Sequence, residues 1–213
     1  MDLSEIKFDY NQNISVFNNL NFELKSNEKV GILGSNGSGK STLLELMVGL
    51  LKPQNGVIEL WGKRQLEESD FKVSRRRIGF LFQDPDDQLF CPTVEEDIAF
   101  GPLNLQLDYD LILSRINEVS ARLNINLLRK RIPFDLSLGQ KKLVALAGIL
   151  VMEPDILILD EPTASLDEAL LETIADYLKE SKCAMVIASH NRNFLNTLCN
   201  KLYQIQDQKL KEL

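Results

Sequence analysis

The chain has 213 residues, enough for one substantial domain with a real core, and its 31 acidic against 24 basic residues leave a net charge of −7. That balance excludes holding nucleic acid by general electrostatics. Cys91, Cys183 and Cys199 are too scattered for a zinc spacing or a disulfide framework. With no apolar signal core in Met1–Phe8, a reducing compartment is the default. The longest apolar run, Leu143 to Met152, is about half the ~20 residues a membrane span needs, so any membrane role must come through a partner.

Alternating apolar residues predict strands at Glu5–Phe8, Leu20–Leu24 and Val30–Leu33, with asparagine-rich turns between the first two. Tyr10 falls in the turn after the first strand. Spacing leaves two readings open for it: a turn aromatic on the sheet edge, or a platform for a nucleotide base.

Gly34-Ser35-Asn36-Gly37-Ser38-Gly39-Lys40-Ser41-Thr42 fits G-x-x-x-x-G-K-[ST] at every fixed position. Its glycines let the backbone turn N–H groups inward as a nest for anionic oxygens. Lys40 adds a positive charge where the β- and γ-phosphates would lie, and Ser41 offers a hydroxyl to Mg²⁺. The helix over Leu43–Leu51 points its positive dipole end at the same place. Strand, loop and helix together make the setting that a nucleoside triphosphate site requires.

Beyond the loop, a short strand is expected at Val57–Leu60, and a charged, solvated stretch at Glu67–Arg77 that includes the Arg75-Arg76-Arg77 run. Ile78–Phe82 reads as a buried strand ending at Gln83. Thr93 with Glu96 forms a capping box for a helix to about Phe100, where Gly101-Pro102 should break it. A second helix spans 108–124, and Arg129–Phe134 is a basic connector. From Asp84 to Met152 the chain is mostly helical, a subdomain between two β-rich parts. Ser137 caps a helix through Val151, and Gly139 permits close approach to its N-terminal end, a second anion site. Two phosphate-binding ends on one chain suggest a dimer in which each chain completes its partner's site.

Ile156–Leu159 is an apolar strand of the buried parallel type that delivers Asp160 and Glu161. An amphipathic helix follows at 167–180. Ala184–Ser189 is another buried strand, ending at His190, the single histidine. A short helix at Phe194–Leu198 and a closing hairpin over 201–210 complete the chain. Gln83, the acidic pair and His190 thus occupy strand C-termini, the edge at which doubly wound sheets bind ligands. Asp160 suits Mg²⁺ through water or directly, with Ser41 and Gln83 beside it. Glu161 could accept a proton from an attacking water, His190 could orient that water or stabilise charge, and Gln83 could sense Mg²⁺ and the same water.

These motifs, in this order, resemble the ATP-binding-cassette (ABC) ATPases over nearly the whole chain. Residues 34–42 correspond to Walker A, Gln83 to the Q-loop and Leu136-Ser-Leu-Gly-Gln140 to the signature. Residues 156–161 correspond to Walker B, Ser165-Leu166-Asp167 to the D-loop and His190 to the switch. The resemblance implies an α/β P-loop NTPase fold. Its RecA-like core would be residues 1–83 and 153–213, with an antiparallel β subdomain, and the inserted helical subdomain 84–152. It implies ATP and Mg²⁺ as cofactors and Tyr10 as the adenine-stacking aromatic. It also implies a head-to-tail dimer with ATP between Walker A of one chain and Ser137, Gly139, Gln140 and Asp167 of the other. Leu138 stands where the family's signature usually has glycine.

A narrower resemblance, in Phe82–Phe90, Thr93–Pro102 and Gly139–Lys142, is to the ATPases of energy-coupling-factor (ECF) importers, especially the cobalt and nickel branch. It implies a motor on the cytoplasmic face of the membrane. Its partners would be a second ABC ATPase, identical or paralogous, a transmembrane coupling subunit and a substrate-binding membrane subunit, with no nucleic acid. The segment after Gln83 would line the groove for a coupling helix, with Asp86 or Asp87 pairing an arginine there. Lack of the long C-terminal extension of many vitamin-type ATPases leans the expectation toward metal ions. The alternatives are the ATPase of a conventional ABC transporter and, further off, a soluble ABC protein.

Overall fold

In a computed structural model, the described residues are 1–11, with Asn11 by its backbone alone, 14–164 and 166–213. The elements in chain order are β1 (Asp2–Asn11), β2 (Ile14–Glu23), β3 (Lys29–Leu33), α1 (Lys40–Met47), β4 (Asn55–Leu60), β5 (Lys63–Arg64) and α2 (Glu68–Ser74). They continue with β6 (Ile78–Leu81), α3 (Val94–Asn104), α4 (Tyr109–Arg122), α5 (Leu138–Leu150), β7 (Ile156–Asp160) and α6 (Glu168–Glu180). The chain closes with β8 (Ala184–Ser189), α7 (Arg192–Leu198), β9 (Lys201–Gln206) and β10 (Lys209–Glu212). The mixed α/β fold is the one expected.

The chain divides into two compact units, the first comprising 1–78, 155–161 and 182–213 and the second 79–154 and 162–181. In the first unit, an antiparallel sheet runs in the order β2-β1-β4-β5. Leu3, Ile6 and Phe8 of β1, and Phe17, Leu20 and Phe22 of β2, bury its inner face. The other sheet carries the order β10-β9-β3-β8-β7, with β3, β8 and β7 parallel to their neighbours. Every residue of β7 and β8 is buried, as continuous apolar runs in a parallel sheet demand. α1 packs on these two strands. The closing hairpin turns at Asp207-Gln208, both with positive φ (51° and 63°), the backbone that a tight two-residue turn requires.

The second unit is built on α5, which is apolar nearly all round and buries Leu143, Val144, Leu146, Ala147 and Leu150 against α3 and α4. In this unit α3, α4, α5 and α6 each start on a side-chain cap. Thr93 and Glu96 close a reciprocal box on α3, Ser137 and Gln140 do the same on α5, and Asp108 and Asp167 cap α4 and α6.

Three expectations need correction. Tyr10 lies within β1 and not in a turn beyond it. α3 continues through Gly101-Pro102 to Asn104. Burial of Ile98 and Pro102 offsets the backbone bond that proline removes, and Gly101 leaves room for Met152, whose Sδ would lie 2.5 Å from an added Cβ. The 67–77 stretch is not simply solvated: it forms α2, anchored by buried Phe71, and a 3₁₀ turn. There Arg75 pairs with Glu68, and Arg77 pairs with Asp155 while its guanidinium sits 4.0 Å above the Trp61 ring.

Candidate nucleotide-binding site

The parallel register of the first unit assembles the site. Leu33 pairs with Ser189 and Asp160 with Ala188, so the loop after β3, the acidic pair after β7 and His190 after β8 leave the sheet side by side. The phosphate loop is closely wound. A Cβ on Gly34 would lie 2.3 Å from Ser38 Oγ, and Gly39, at φ 101°, would place one 2.8 Å from Val16 Cγ1. Only glycine fits both demands. Ser38 Oγ is buried with no hydrogen-bond partner among the described residues, an unmet polar group where an anionic oxygen would be received.

Lys40, 6% exposed, donates to the carbonyls of Gly34 (2.8 Å) and Ser35 (3.2 Å) and lies 3.3 Å from Glu161 Oε1. Glu161, 4% exposed, takes φ 45°, an uncommon backbone for a non-glycine residue, and its N–H donates to the Ala188 carbonyl at 2.9 Å. This turn aims its side chain at the end of β8. There Oε2 accepts from Ser189 Oγ (3.2 Å), the His190 N–H (3.4 Å) and His190 Nδ1 (2.9 Å). With an ionised carboxylate, which can only accept, and a neutral imidazole, this contact calls for the ring proton on Nδ1 and makes Nε2 an acceptor. Asp160 is buried at the end of β7. Burial, and then the negative charge of Asp160, raise the Glu45 carboxyl above its ordinary range.

Tyr10 and Thr42 meet as well: Tyr10 Oη lies 2.9 Å from Thr42 Oγ1, and the ring stands edge-on to Phe8 at 5.1 Å. The Tyr10 side chain is exposed and Thr42 buried.

Lys40, Glu161, His190 and the Tyr10–Thr42 pair are thus gathered in the first unit. Asp160, Gly34, Ser35, Asn36, Gly37, Ser38, Gly39 and Ser41 belong to the same strand ends and loop. Gln83, Ser137, Gly139, Gln140 and Asp167 belong to the second unit. There Gln83 is exposed after β6, Gln140 Oε1 accepts the Ser137 N–H at 3.1 Å, and Asp167 Oδ1 accepts the Leu170 N–H at 2.9 Å. Ser165, expected in the D-loop, lies outside the described residues.

Sequence reasoning missed two partners. Ser189, next to His190 at a strand end, was open to the same argument. Lys141 was not: its ammonium meets Asp86 Oδ1 at 2.6 Å and lies 5.4 Å from the centre of the Phe134 ring. The negative charge of Asp86, expected to await a partner's arginine, is therefore already met within the chain. Beside it the second unit carries a groove lined by Phe90, Phe100, Gly101, Val144 and Gly148, its two phenylalanines packed edge to face at 4.7 Å. Among the described residues, no helix is long and apolar enough to cross a membrane.

Comparison with known proteins agrees with this geometry. Residues 17–164 match the family described as ABC transporter. The chain is 39% identical over 198 residues to the energy-coupling factor transporter ATP-binding protein EcfA1 of Methanospirillum hungatei, covering 91% of this chain and 71% of that one. Among solved structures, CbiO1 of Clostridium perfringens, described as part of the ABC transporter complex CbiONQ, superposes with a TM-score of 0.86 at 35% identity. That match covers 99% of this chain and 86% of the other. A bacterial ABC transporter cassette solved as a dimer gives a TM-score of 0.91 at 26% identity, covering 100% and 97%. The chain therefore belongs to the ABC transporter family, as an ATP-binding subunit.

Proposed function

We propose that the chain is the ATP-hydrolysing motor of an ECF-type importer, driving uptake of a metal ion such as cobalt or nickel, or of a vitamin, through membrane subunits. The observation that carries the hydrolytic part is Glu161: a buried carboxylate at the mouth of the phosphate loop, held by Ser189 and His190 and facing Lys40. In this reading the loop N–H groups and Lys40 hold the triphosphate, and Tyr10 stacks on the base. Glu161 accepts the proton of the water that attacks the γ-phosphorus as the bond to ADP breaks. His190, fixed by Glu161, presents its unprotonated ring nitrogen as an acceptor to that water.

The donor set of the first unit suits Mg²⁺: the Ser41 hydroxyl at the start of α1 and the buried Asp160 carboxylate are oxygen ligands of the type this ion takes. When bound, the ion would neutralise charge on the β- and γ-phosphates. Ser137, Gly139, Gln140 and Asp167, at helix starts, would receive the nucleotide held by a second cassette. The ECF part rests on the likeness to EcfA1 and CbiO1 and on the aromatic groove, which suits a coupling helix, with Asp87, the neighbour in sequence of the groove residue Gln88, as the acid for its arginine. Such a motor sits peripherally on the cytoplasmic face of the membrane.

The test is co-expression with candidate membrane subunits and ATPase assay with and without them. A complex that is lost on Phe90→Ser or Asp87→Ala, and whose ATPase is lost on Lys40→Ala, is the expected result. ATPase activity with no membrane partner would keep the hydrolytic reading and overturn the importer assignment.

A further inference from the structure

The contact between Tyr10 and Thr42 joins two parts of the site that act on opposite ends of a nucleotide. Tyr10 lies on β1 and Thr42 in the first turn of α1, 32 positions apart, yet their hydroxyl oxygens are 2.9 Å from each other. The Tyr10 ring is 55% exposed, while Phe8 supports its edge and Thr42 is 6% exposed. A threonine hydroxyl has one hydrogen to give and two lone pairs to receive. A phenol O–H, its oxygen lone pair drawn into the ring, is the better hydrogen-bond donor of the two and an aliphatic hydroxyl the better acceptor. With the phenol donating, the single hydrogen of Thr42 is left to point elsewhere, and the only large anion that the loop is built to hold is phosphate.

We propose that Tyr10 is a positioning residue for phosphate binding: its O–H donates to Thr42 Oγ1 and so orients the Thr42 hydroxyl to donate to a phosphate oxygen. This role is separate from stacking on the base, and it rests on the reading of residues 34–42 as a triphosphate site. Stacking alone makes Tyr10 matter only to ligands that carry a base. Orientation through Thr42 makes its hydroxyl matter to a bare polyphosphate as well.

The test is equilibrium binding of ATP and of inorganic tripolyphosphate to the full chain and its variants. Tyr10→Phe keeps the ring and removes the hydroxyl. The expected result is a loss of about three- to ten-fold for both ligands alike, the scale of one neutral hydrogen bond. Tyr10→Ala should lose further affinity for ATP, but no more than Tyr10→Phe for tripolyphosphate. In a Thr42→Val background Tyr10→Phe should add nothing. In a Thr42→Ser background, which keeps the hydroxyl and serves if Thr42→Val does not fold, its effect should persist. Tyr10→Phe binding both ligands like the wild type, or losing ATP alone, would overturn the proposal and leave the triphosphate site standing. Loss of neither ligand on Lys40→Ala would overturn the site reading itself.

Discussion

The two units of the chain carry function in opposite ways. In the first, the functional side chains are products of buried parallel strands and satisfy one another: Lys40 and Glu161 are almost sealed from solvent and share an ion pair, with His190 and Ser189 closing on the carboxylate. In the second, they stand on helix starts and open surface. Ser137 and Asp167 are caps, while Phe90 (66%) and Phe134 (85%) are large apolar groups left to solvent. The first pattern is what a reaction centre needs, with few degrees of freedom and little water. The second is what a surface needs when its partners lie outside the chain.

The sharpest way to break this contrast is at Lys40. Lys40→Ala removes the loop's charge and leaves Glu161 without its cation, and ATP affinity measured by titration should fall about ten- to hundred-fold. An unchanged affinity would mean that the buried cluster is structural. Next is Gly39→Ala, which forces a side chain into φ 101° against Val16. Its cost should be about 1–2 kcal/mol in denaturant unfolding, with weaker ATP binding as well. In the second unit, Ser137→Ala removes a cap and should cost about 1 kcal/mol, and Ser137→Gly only a few tenths of that.

Phe90→Ser sharpens the comparison from the other side. Unfolding free energy should fall by about 0.5–1.5 kcal/mol, the worth of its edge-to-face pair with Phe100, while capture of membrane subunits is lost. The smallest effect is expected at Glu28, just before β3 in the first unit. Burial raises the Glu28 carboxyl, but Lys201 at 2.7 Å and the Lys25 N–H outweigh it and hold the pKa below its ordinary value. Its folded pKa is therefore the lower one, and the ion pair stabilises the fold above the ordinary carboxylate range. A small stability deficit of Glu28→Gln at neutral pH should fade as the pH falls through that lowered pKa. A deficit constant with pH would assign the effect to packing alone.

Much of the first unit was legible because its signals are local. Four apolar residues followed by Asp160 and Glu161 can hardly be anything but a buried strand delivering acids to an edge, and the glycines of the phosphate loop have one common reading. The caps at Thr93 and Ser137 were legible for the same reason, since donor and acceptor lie three residues apart. What escaped depended on distance in sequence. Asp86 and Lys141 are 55 positions apart, and nothing in either neighbourhood announces the other. Helix α2 was hidden because one buried residue, Phe71, anchors an otherwise charged stretch. The passage of α3 through Pro102 was misjudged because the packing that offsets the lost backbone bond belongs to α5 and Met152. Local preference lost to tertiary burial there.

The most direct test of the central claim, that this chain hydrolyses ATP with Glu161 as the base, is a pairing of turnover with binding for Glu161→Gln. The amide keeps the size of the side chain and its contact with His190 but cannot take a proton at neutral pH. The account requires ATP to bind at least as well as in the wild type while the hydrolysis rate falls by about 10²–10⁴. Hydrolysis at the wild-type rate would contradict it.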